Sequence, residues 1–228
     1  MKKRTLIVAL GAALILLIIL IFCTFLGITY WQEQSLPVYS ENQTFSEQGT
    51  PIHTLTSGKM VYINGPTESF LEPIDGRWTN QMGKTPGGQK IYGPPGQSYP
   101  EYVVLKSFMF PETVYRNNSS STVELRALRV SEIRFSANQG LAPLLKKTQD
   151  PRIIDEVLRA LRNPQPVKPT QAQSQTYHID LVSEQIPGLG YFVYVWVDEN
   201  RRVFFADRFA PDNWMPAGEH FTQWAIDK

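Results

Sequence analysis

The longest apolar stretch of the chain lies close to its N-terminus. Residues Leu6 to Ile28 carry no charge, and only Gly11, Thr24 and Gly27 stand outside the apolar set. A helix of this length rises about 34 Å at ~1.5 Å per residue, which is enough to cross a hydrocarbon core of about 30 Å. The pattern therefore predicts a transmembrane anchor over residues 6–28.

The residues beside this stretch predict its orientation. A basic run, Lys2–Arg4, precedes it, and Tyr30 and Trp31 follow it. Lys and Arg favour the cytoplasmic side of a membrane, whereas Tyr and Trp favour the headgroup layer. We expect a single-pass plasma-membrane protein with a cytoplasmic N-terminus, residues 1–5, and an extracytoplasmic C-terminal domain.

Two kinds of cleaved leader are the alternatives to an anchor. A secretory signal has a shorter apolar core, about 7–15 residues, that ends at paired small residues. The pair Gly27 and Thr29 matches such a site poorly. A lipoprotein signal needs a small residue before its cysteine, but Phe22 precedes Cys23. An uncleaved signal-anchor is the favoured interpretation.

The first part of the chain after the anchor is predicted to be β-rich. Residues 29–52 are mostly polar, which is typical of a linker. Short apolar runs separated by Gly and Pro turns then predict a subdomain over 53–117, a small meander or partly open barrel. Its predicted strands are Lys59–Ile63, Lys90–Tyr92, Tyr102–Leu105 and Thr113–Tyr115. A polar run over 117–122 marks the boundary to a second subdomain.

The second subdomain, residues 123–228, is predicted to contain the clearest helix. This subdomain is predicted to begin with a bent strand over 123–135, and a helix over 123–132 is the alternative. The clear helix covers 151–162, since Asp150 is a good N-cap and Pro151 a good first residue. Its apolar stripe consists of Ile153, Ile154, Val157, Leu158 and Leu161. A stiff polar connection over 164–175 follows.

Three strands and a short helix complete the chain. Tyr177–Val182 alternates in polarity, and Tyr191–Val197 is apolar on both faces, which predicts a central strand covered on both sides. A turn at 198–200 then predicts an antiparallel hairpin with Arg202–Phe205. The last helix carries Phe221, Trp224 and Ala225. The predicted fold class is α+β: an N-terminal transmembrane helix, a small β-rich region, and an antiparallel sheet covered by an amphipathic helix.

Composition and charge exclude several classes of function. The formal net charge is +1, and three positive charges lie within the first four residues, so the chain has no basic field for nucleic acid. Cys23 is the only cysteine, so the part outside the membrane has neither a disulfide nor a thiol nucleophile. The absence of disulfides fits a bacterial exported domain.

Three motifs suggest chemistry but match it incompletely. Gly83-Lys84-Thr85 imitates the end of a phosphate-binding loop, yet Trp78 stands where that loop needs a glycine, so we expect no nucleotide. Ser98 lies in a turn-rich loop without a hydrolase motif around it. An aromatic groove for carbohydrate or peptide is a third possibility, although core packing is the favoured role of these side chains: Trp78, Tyr92, Tyr99, Tyr102, Trp214 and Trp224.

Histidines and one polar loop offer two further candidate sites. His178 and Asp180 share a strand face and could join Glu219 and His220 in a metal site. No paired ligand spacing supports this, so a solvent-facing strand edge is the favoured interpretation, and His53 stands apart. A polar and aromatic loop after the last hairpin could bind a partner or cap the sheet: Asp207, Arg208, Asp212, Asn213 and Trp214.

The layout resembles the uncharacterised single-span, membrane-anchored proteins of bacilli and related Gram-positive bacteria. The stretches that carry the resemblance are Leu6–Ile28, Thr148–Leu161 and Tyr191–Phe205. The resemblance implies a location at the membrane and a small extracytoplasmic α+β domain. It implies no catalytic residue, no cofactor and no metal ligand.

These observations lead to two hypotheses for the function. The first is a membrane-anchored extracytoplasmic binding or assembly module, held in the membrane by Leu6–Ile28 and facing another envelope protein or a cell-wall component. The alternative is a cell-envelope hydrolase or transferase. An enzyme should show a concave site with convergent carboxylates or a histidine of perturbed pKa. A binding module should show an exposed apolar or aromatic patch.

Overall fold

Fourteen strands and three α-helices follow one another along the residues that the computed structural model describes. These are residues 2–47, 49–107, 111–137, 143–167, 173–206 and 214–226, with side chains described for all of them except 2–13, 29, 32, 33 and 173–175. Contacts divide the chain into two compact units, Met1–Val38 and Tyr39–Lys228.

The elements are named here in chain order. They are α1 (Lys2–Ser35), β1 (Ser40–Phe45), β2 (Pro51–Ser57), β3 (Met60–Asn64), β4 (Leu71–Pro73), β5 (Asn80–Lys84), β6 (Lys90–Gly93), β7 (Tyr102–Lys106), β8 (Thr113–Asn117), β9 (Glu132–Ala137), β10 (Leu144–Thr148), α2 (Pro151–Arg162), β11 (Gln173–Val182), β12 (Leu189–Asp198), β13 (Val203–Ala206), β14 (Trp214–Pro216) and α3 (Glu219–Ile226). A 3-10 turn, Glu68–Phe70, leads into β4.

The first unit is built on the long helix α1. Its large apolar side chains are exposed wherever they are described, and Leu16, for example, exposes 67% of its surface. Cys23 is an exposed free thiol on the same helix. Among the residues whose side chains are described, no helix is both long and apolar enough to span a membrane.

Sheet A is antiparallel and curls into a partly open barrel. Its strand order is β1-β2-β3-β8-β7-β6-β5. The two ends of the sheet meet where the Tyr39 N–H donates to the Lys84 carbonyl over 2.8 Å. The barrel is filled by a separate apolar cluster: Tyr39, Leu55, Tyr62, Ile91, Val103, Leu105 and Tyr115. The predicted strands of this region are confirmed, since they coincide with β3, β6, β7 and β8.

Sheet B is also antiparallel and carries both short helices on one face. Its order is β10-β9-β11-β12-β13-β14, and β4 from the first half of the chain pairs with β12. On one face, Ile179, Val195 and Phe205 pack against α2 and α3 in the main core. This core also contains Trp78 and Val104, so side chains from both parts of the chain share it. The predicted α+β class, with an antiparallel sheet covered by an amphipathic helix, is confirmed.

Helix α2 begins and ends where the sequence predicts. The Asp150 side chain accepts a hydrogen bond from the Arg152 N–H over 2.9 Å, which satisfies one of the N–H groups that a helix start leaves unpaired. Asn163 is the C-cap. The stripe residues Ile153, Ile154, Val157 and Leu158 are buried. The hairpin of β12 and β13 is likewise confirmed.

Three sequence-based predictions are wrong in detail. The linker over 29–52 is interrupted, because α1 continues to Ser35, β1 occupies Ser40–Phe45 and β2 begins at Pro51. The described residues 123–131 form neither the predicted bent strand nor the alternative helix. The strand of this region, β9, begins only at Glu132. The polar connection over 164–175 overlaps β11, whose first residue is Gln173.

The second face of β12 is less covered than the sequence predicts. Val193 and Val195 are buried on the helix side of the sheet. On the opposite face Phe192 is buried, but Tyr194 and Trp196 are only half-buried. The prediction of full cover on both faces is therefore confirmed for the first face and wrong for these two side chains.

Candidate functional site

A polar cavity of about 320 Å³ opens on the second face of sheet B, opposite the helices. Strands β4, β9, β10 and β11 contribute its walls. The lining residues are Glu72, Pro73, Ile74, Arg134, Ser136, Leu144, His178 and Asp180. We call this cavity the polar pocket.

Strand register brings the charged residues of the polar pocket together. Alternate residues of a strand point to the same face, so His178 and Asp180 lie side by side on β11. On the neighbouring strand β9, Ser136 pairs with His178 and Arg134 pairs with Asp180. Glu72 reaches the same face from β4, since it pairs with Gly190 of β12.

Asp180 is a buried carboxyl group without a hydrogen-bond partner among the described residues. It is 8% exposed, and 3.9 Å separate Asp180 Oδ2 from His178 Nε2. That distance is too long for a hydrogen bond. Burial, together with the Glu72 carboxylate and against the opposing effect of Arg134, raises the pKa of Asp180 to about 7.

Gly190 allows the backbone of β12 to approach this carboxyl group closely. A Cβ atom at position 190 would lie 2.7 Å from Asp180 Cβ and 2.7 Å from Ile74 Cγ2. Such contacts are shorter than packed carbon atoms tolerate, because carbon pairs prefer about 3.5–4.0 Å. A side chain at this position would therefore push Asp180 out of place.

The positive charge of Arg134 is already engaged by other groups. Its Nε donates to Glu132 Oε1 over 2.8 Å, and its Nη1 donates to the Ile74 carbonyl over 3.0 Å. The hydrogen bond from Arg134 holds the pKa of Glu132 below its ordinary value despite partial burial. Arg134 thus forms an ion pair with Glu132 rather than with Asp180.

His178 is a neutral ring in an aromatic environment. Burial lowers its pKa, and its Nδ1 atom is buried without a hydrogen-bond partner among the described residues. The ring stacks on Phe192 with 5.0 Å between centroids, and Phe192 meets Tyr194 edge-on at 4.7 Å. Further along the same face, Trp196 packs edge-on against Trp214 at 4.6 Å. The polar pocket is therefore one end of an aromatic row.

The structure separates the residues of the predicted metal site. His220 Nδ1 lies 2.7 Å from Glu156 Oε1 on α2, away from His178 and Asp180 in the contact pattern. The residues that the structure describes contain no group of three or more His, Cys, Asp and Glu side chains that could hold a metal ion. The less favoured alternative of a metal site from His178, Asp180, Glu219 and His220 therefore has no support among the described residues. The favoured interpretation of a strand edge is wrong for His178 and Asp180, because β11 lies between β9 and β12.

The other sequence candidates lie outside the polar pocket. Gly83 and Lys84 end β5, and the Thr85 hydroxyl accepts a hydrogen bond from the Gln89 N–H in the following turn. Ser98 lies in an exposed bend, and His53 lies on β2. Of the loop after β13, only Trp214 lies within the described residues, where it is buried.

Core packing, the favoured role of the six aromatic residues considered for a groove, is confirmed for five of them and wrong for Tyr99. Trp78, Tyr102 and Trp214 are buried, whereas Tyr99 is 76% exposed. Tyr92 and Trp224 are partly buried and pack against the main core. The aromatic row beside the polar pocket consists instead of Phe192, Tyr194 and Trp196 with Trp214.

The sequence carried a signal for the β9 residues of the polar pocket, which it did not predict, but none for Glu72. Glu132, Arg134 and Ser136 alternate with Ile133 and Phe135, which is the pattern of a strand with one polar face. Glu72 had no comparable signal, because β4 is only three residues long and its partner strand lies in the other half of the chain.

Comparisons of the chain with protein-family models, with curated proteins and with solved structures gave no match.

Proposed function

We propose that this chain is a membrane-anchored extracytoplasmic binding module whose ligand site is the polar pocket. The observation that carries the proposal is the buried Asp180 carboxyl group, which faces a cavity and has no hydrogen-bond partner among the described residues. A second observation supports it: the Nδ1 atom of His178 in the same cavity is buried without a hydrogen-bond partner among the described residues. Burying such an atom costs free energy, about 1–3 kcal/mol by mutational measures, and a ligand that supplies a donor recovers that cost.

The anchor part of the proposal is supported by the character of α1. The segment 6–28 is uncharged, and its described large apolar side chains are exposed. A helix that is apolar on every side is stable when it is surrounded by apolar groups, as in a bilayer. The basic run Lys2–Arg4 gives the orientation with the N-terminus in the cytoplasm, as in the bacterial single-span proteins that the sequence resembles.

Protease access tests the anchor and its orientation. Protease added to intact protoplasts should remove residues 30–228 and leave the N-terminal segment in the membrane. Protection of residues 30–228 would overturn the proposed orientation. Release of these residues into the medium without added protease would show that the leader is cleaved and would overturn the anchor.

Photo-cross-linking in intact cells tests the binding site. Leu144 lines the polar pocket and is exposed, so a photoreactive amino acid at position 144 should form adducts with the bound component. The matched control is position 45, since Phe45 is also exposed but lies on β1 of sheet A. The proposal is supported if adducts form at position 144 and disappear when the Asp180→Asn substitution is introduced into the same chain. Equal adducts at both positions, or adducts that are indifferent to Asp180→Asn, overturn it.

One observation favours the alternative of a hydrolase or transferase. A carboxyl group whose pKa is about 7 is partly protonated at neutral pH, as a general acid must be, and Glu72 provides a second carboxylate in the same cavity. In that case purified cell-wall polymer should release soluble fragments in the presence of the full chain. Asp180→Asn should abolish the release, and the rate should fall as the pH rises above 7.

A further inference from the structure

We propose that the polar pocket binds an ammonium group, with Asp180 as its main counter-ion and the His178 ring beside its carbon stem. This inference rests on the proposed binding function and names the chemical class of the ligand. It follows from the charges, the donors and the volume of the pocket.

The charges of the polar pocket disfavour an anion and favour a cation. Arg134 is the only cation among the described residues that line the cavity, and it is paired with Glu132 and with a backbone carbonyl. The Glu72 carboxylate adds negative potential at Asp180. An incoming anion would face these carboxylates without an available arginine, whereas a cation is attracted by both.

The polar groups of the pocket that have no partner need hydrogen-bond donors from the ligand. An ionised Asp180 only accepts hydrogen bonds, and the unpartnered Nδ1 of His178 accepts one in the appropriate tautomer. An ammonium group carries three N–H donors and no acceptor, and a hydroxyl group carries one donor. A metal ion would need more ligands than the described residues bring together. The ammonium group therefore fits the acceptors best.

The size and the apolar border of the cavity fit an alkylammonium ligand. A volume of about 320 Å³ corresponds to roughly ten times the ~30 Å³ that a water molecule occupies in the liquid. The His178 ring lines the cavity and is held in place by stacking on the buried Phe192, so an aromatic ring borders the pocket. Aromatic faces attract cations and pack against their carbon stems.

Several groups face Asp180 and set the pH range of binding. His178 shares its strand, Arg134 with its partner Glu132 faces it from β9, Glu72 faces it from β4, and β12 contributes the uncharged Gly190 and Phe192. Since Asp180 has a pKa of about 7, it is mostly protonated at pH 6 and mostly ionised at pH 8. An alkylammonium group stays charged over this range. Its affinity should therefore fall about tenfold from pH 8 to pH 6.

Titration calorimetry with the full chain in detergent micelles tests this inference. The probe is Nα-acetyl-lysine methylamide, and the control ligand is the same molecule acetylated on Nε, which has lost its charge. We expect the charged probe to bind at pH 8, at least tenfold tighter than the acetylated one. Asp180→Asn should lower the affinity for the charged probe at least tenfold, and Glu72→Gln should lower this affinity by a smaller factor.

Further variants keep the experiment decisive. The His178→Gln variant should retain the pH dependence of the affinity for the charged probe. This result would assign the pH dependence to Asp180 rather than to the histidine. If Asp180→Asn does not fold, as judged by its melting curve, Glu72→Gln and the pH titration decide. Equal binding of both probes, or stronger binding at pH 6 than at pH 8, overturns the inference. Binding of N-acetylglucosamine that depends on Asp180, without binding of the charged probe, overturns the ammonium ligand and leaves the proposed binding function intact.

Discussion

The Glu156 side chain on α2 holds the first turn of α3 through His220. Glu156 Oε1 lies 2.7 Å from His220 Nδ1, and Glu156 Oε2 accepts a hydrogen bond from the Phe221 N–H over 3.0 Å. The first N–H groups of a helix have no partner within the helix, so a carboxylate from a neighbouring helix serves here as the cap. Phe221, which follows this link directly, is fully buried in the main core.

We expect Glu156→Ala to lower the free energy of unfolding by about 1–3 kcal/mol, because two hydrogen bonds to a charged group are lost. Asp155→Ala is the matched control, since Asp155 is exposed on the same helix and should change stability by less than about 0.5 kcal/mol. Chemical denaturation of the full chain in micelles measures both variants. Equal effects of the two substitutions would contradict the capping role.

Gly218→Ala should act through the same link. A Cβ atom at position 218 would collide with the Glu156 carboxyl group, which would have to leave its partners His220 and Phe221. The alanine should therefore cost about as much as Glu156→Ala in the native sequence and much less when Glu156 is already alanine. A double-mutant cycle measures this coupling. Strict additivity would show that the two residues act separately.

Asp198 organises the turn between β12 and β13. It is 2% exposed, Oδ1 accepts hydrogen bonds from the Asn200 and Arg202 N–H groups, and Oδ2 accepts one from Arg202 Nε over 2.7 Å. Asp198→Ala should lower the free energy of unfolding by about 1–3 kcal/mol, because the hydrogen bonds to a charged carboxylate are lost. Glu199→Ala, in the exposed part of the same turn, is the control.

The same turn predicts a loss of stability in acid. Burial opposes ionisation of Asp198, but the Arg202 backbone and guanidinium outweigh it, and the net effect lowers the pKa of Asp198. A lowered carboxyl pKa stabilises the folded state above the unfolded value, and this contribution is lost as the pH falls through the folded value. The difference in the free energy of unfolding between the native chain and the Asp198→Ala variant should therefore become smaller as the pH is lowered. A difference that grows below pH 4 would contradict this.

Asp180 should have the opposite effect on stability. Its pKa is raised to about 7, so between about pH 4 and pH 7 the folded chain holds a proton that the unfolded chain has lost. As the pH rises through this range, the free energy of unfolding should fall by at most about 1.4 kcal/mol per pH unit, and it should stay low above pH 7. Asp180→Asn should remove this slope and be the more stable protein at pH 8. A slope unchanged by the substitution would assign it to another group.

The two faces of β12 should respond differently to truncation. Val195 is fully buried, so Val195→Ala should lower the free energy of unfolding by about 1–3 kcal/mol. Trp196 is half-buried and keeps its contact with Trp214, so Trp196→Ala should cost less than the 3–5 kcal/mol of a fully buried tryptophan. Iodide should quench its fluorescence partially, as judged by subtraction of the Trp196→Phe spectrum. Complete protection would show that this face is covered.

Sequence reasoning succeeded where local chemistry and periodicity agree. Asp150, Pro151 and the stripe from Ile153 to Leu158 are enough to define α2, since caps and amphipathic spacing act within a few residues. The turn before Arg202 and the apolar β12 likewise define the last hairpin.

The parts that were not predicted depend on distant partners. Every residue of β1 is exposed, so its polar sequence shows no alternation, and its backbone pairing with β2 creates the strand. Leu128 is buried without belonging to any regular element, although the sequence around it suggested a strand or a helix. The polar pocket needs Glu72 beside Asp180, and this depends on a pairing between two halves of the chain that no local pattern encodes.

The pairing of β4 with β12 also sets an order of events during synthesis. Leu71 pairs with Tyr191, about 120 residues later, so sheet B gains its strand from the first half only after most of the chain has emerged. At ~5–20 residues per second, β4 waits roughly 6–24 s for its partner. During that interval the strands of sheet A can pair while the short segment beside them stays unmatched. The acidic side of the polar pocket is therefore assembled last, so a chain interrupted before β12 lacks the site even if its barrel is complete.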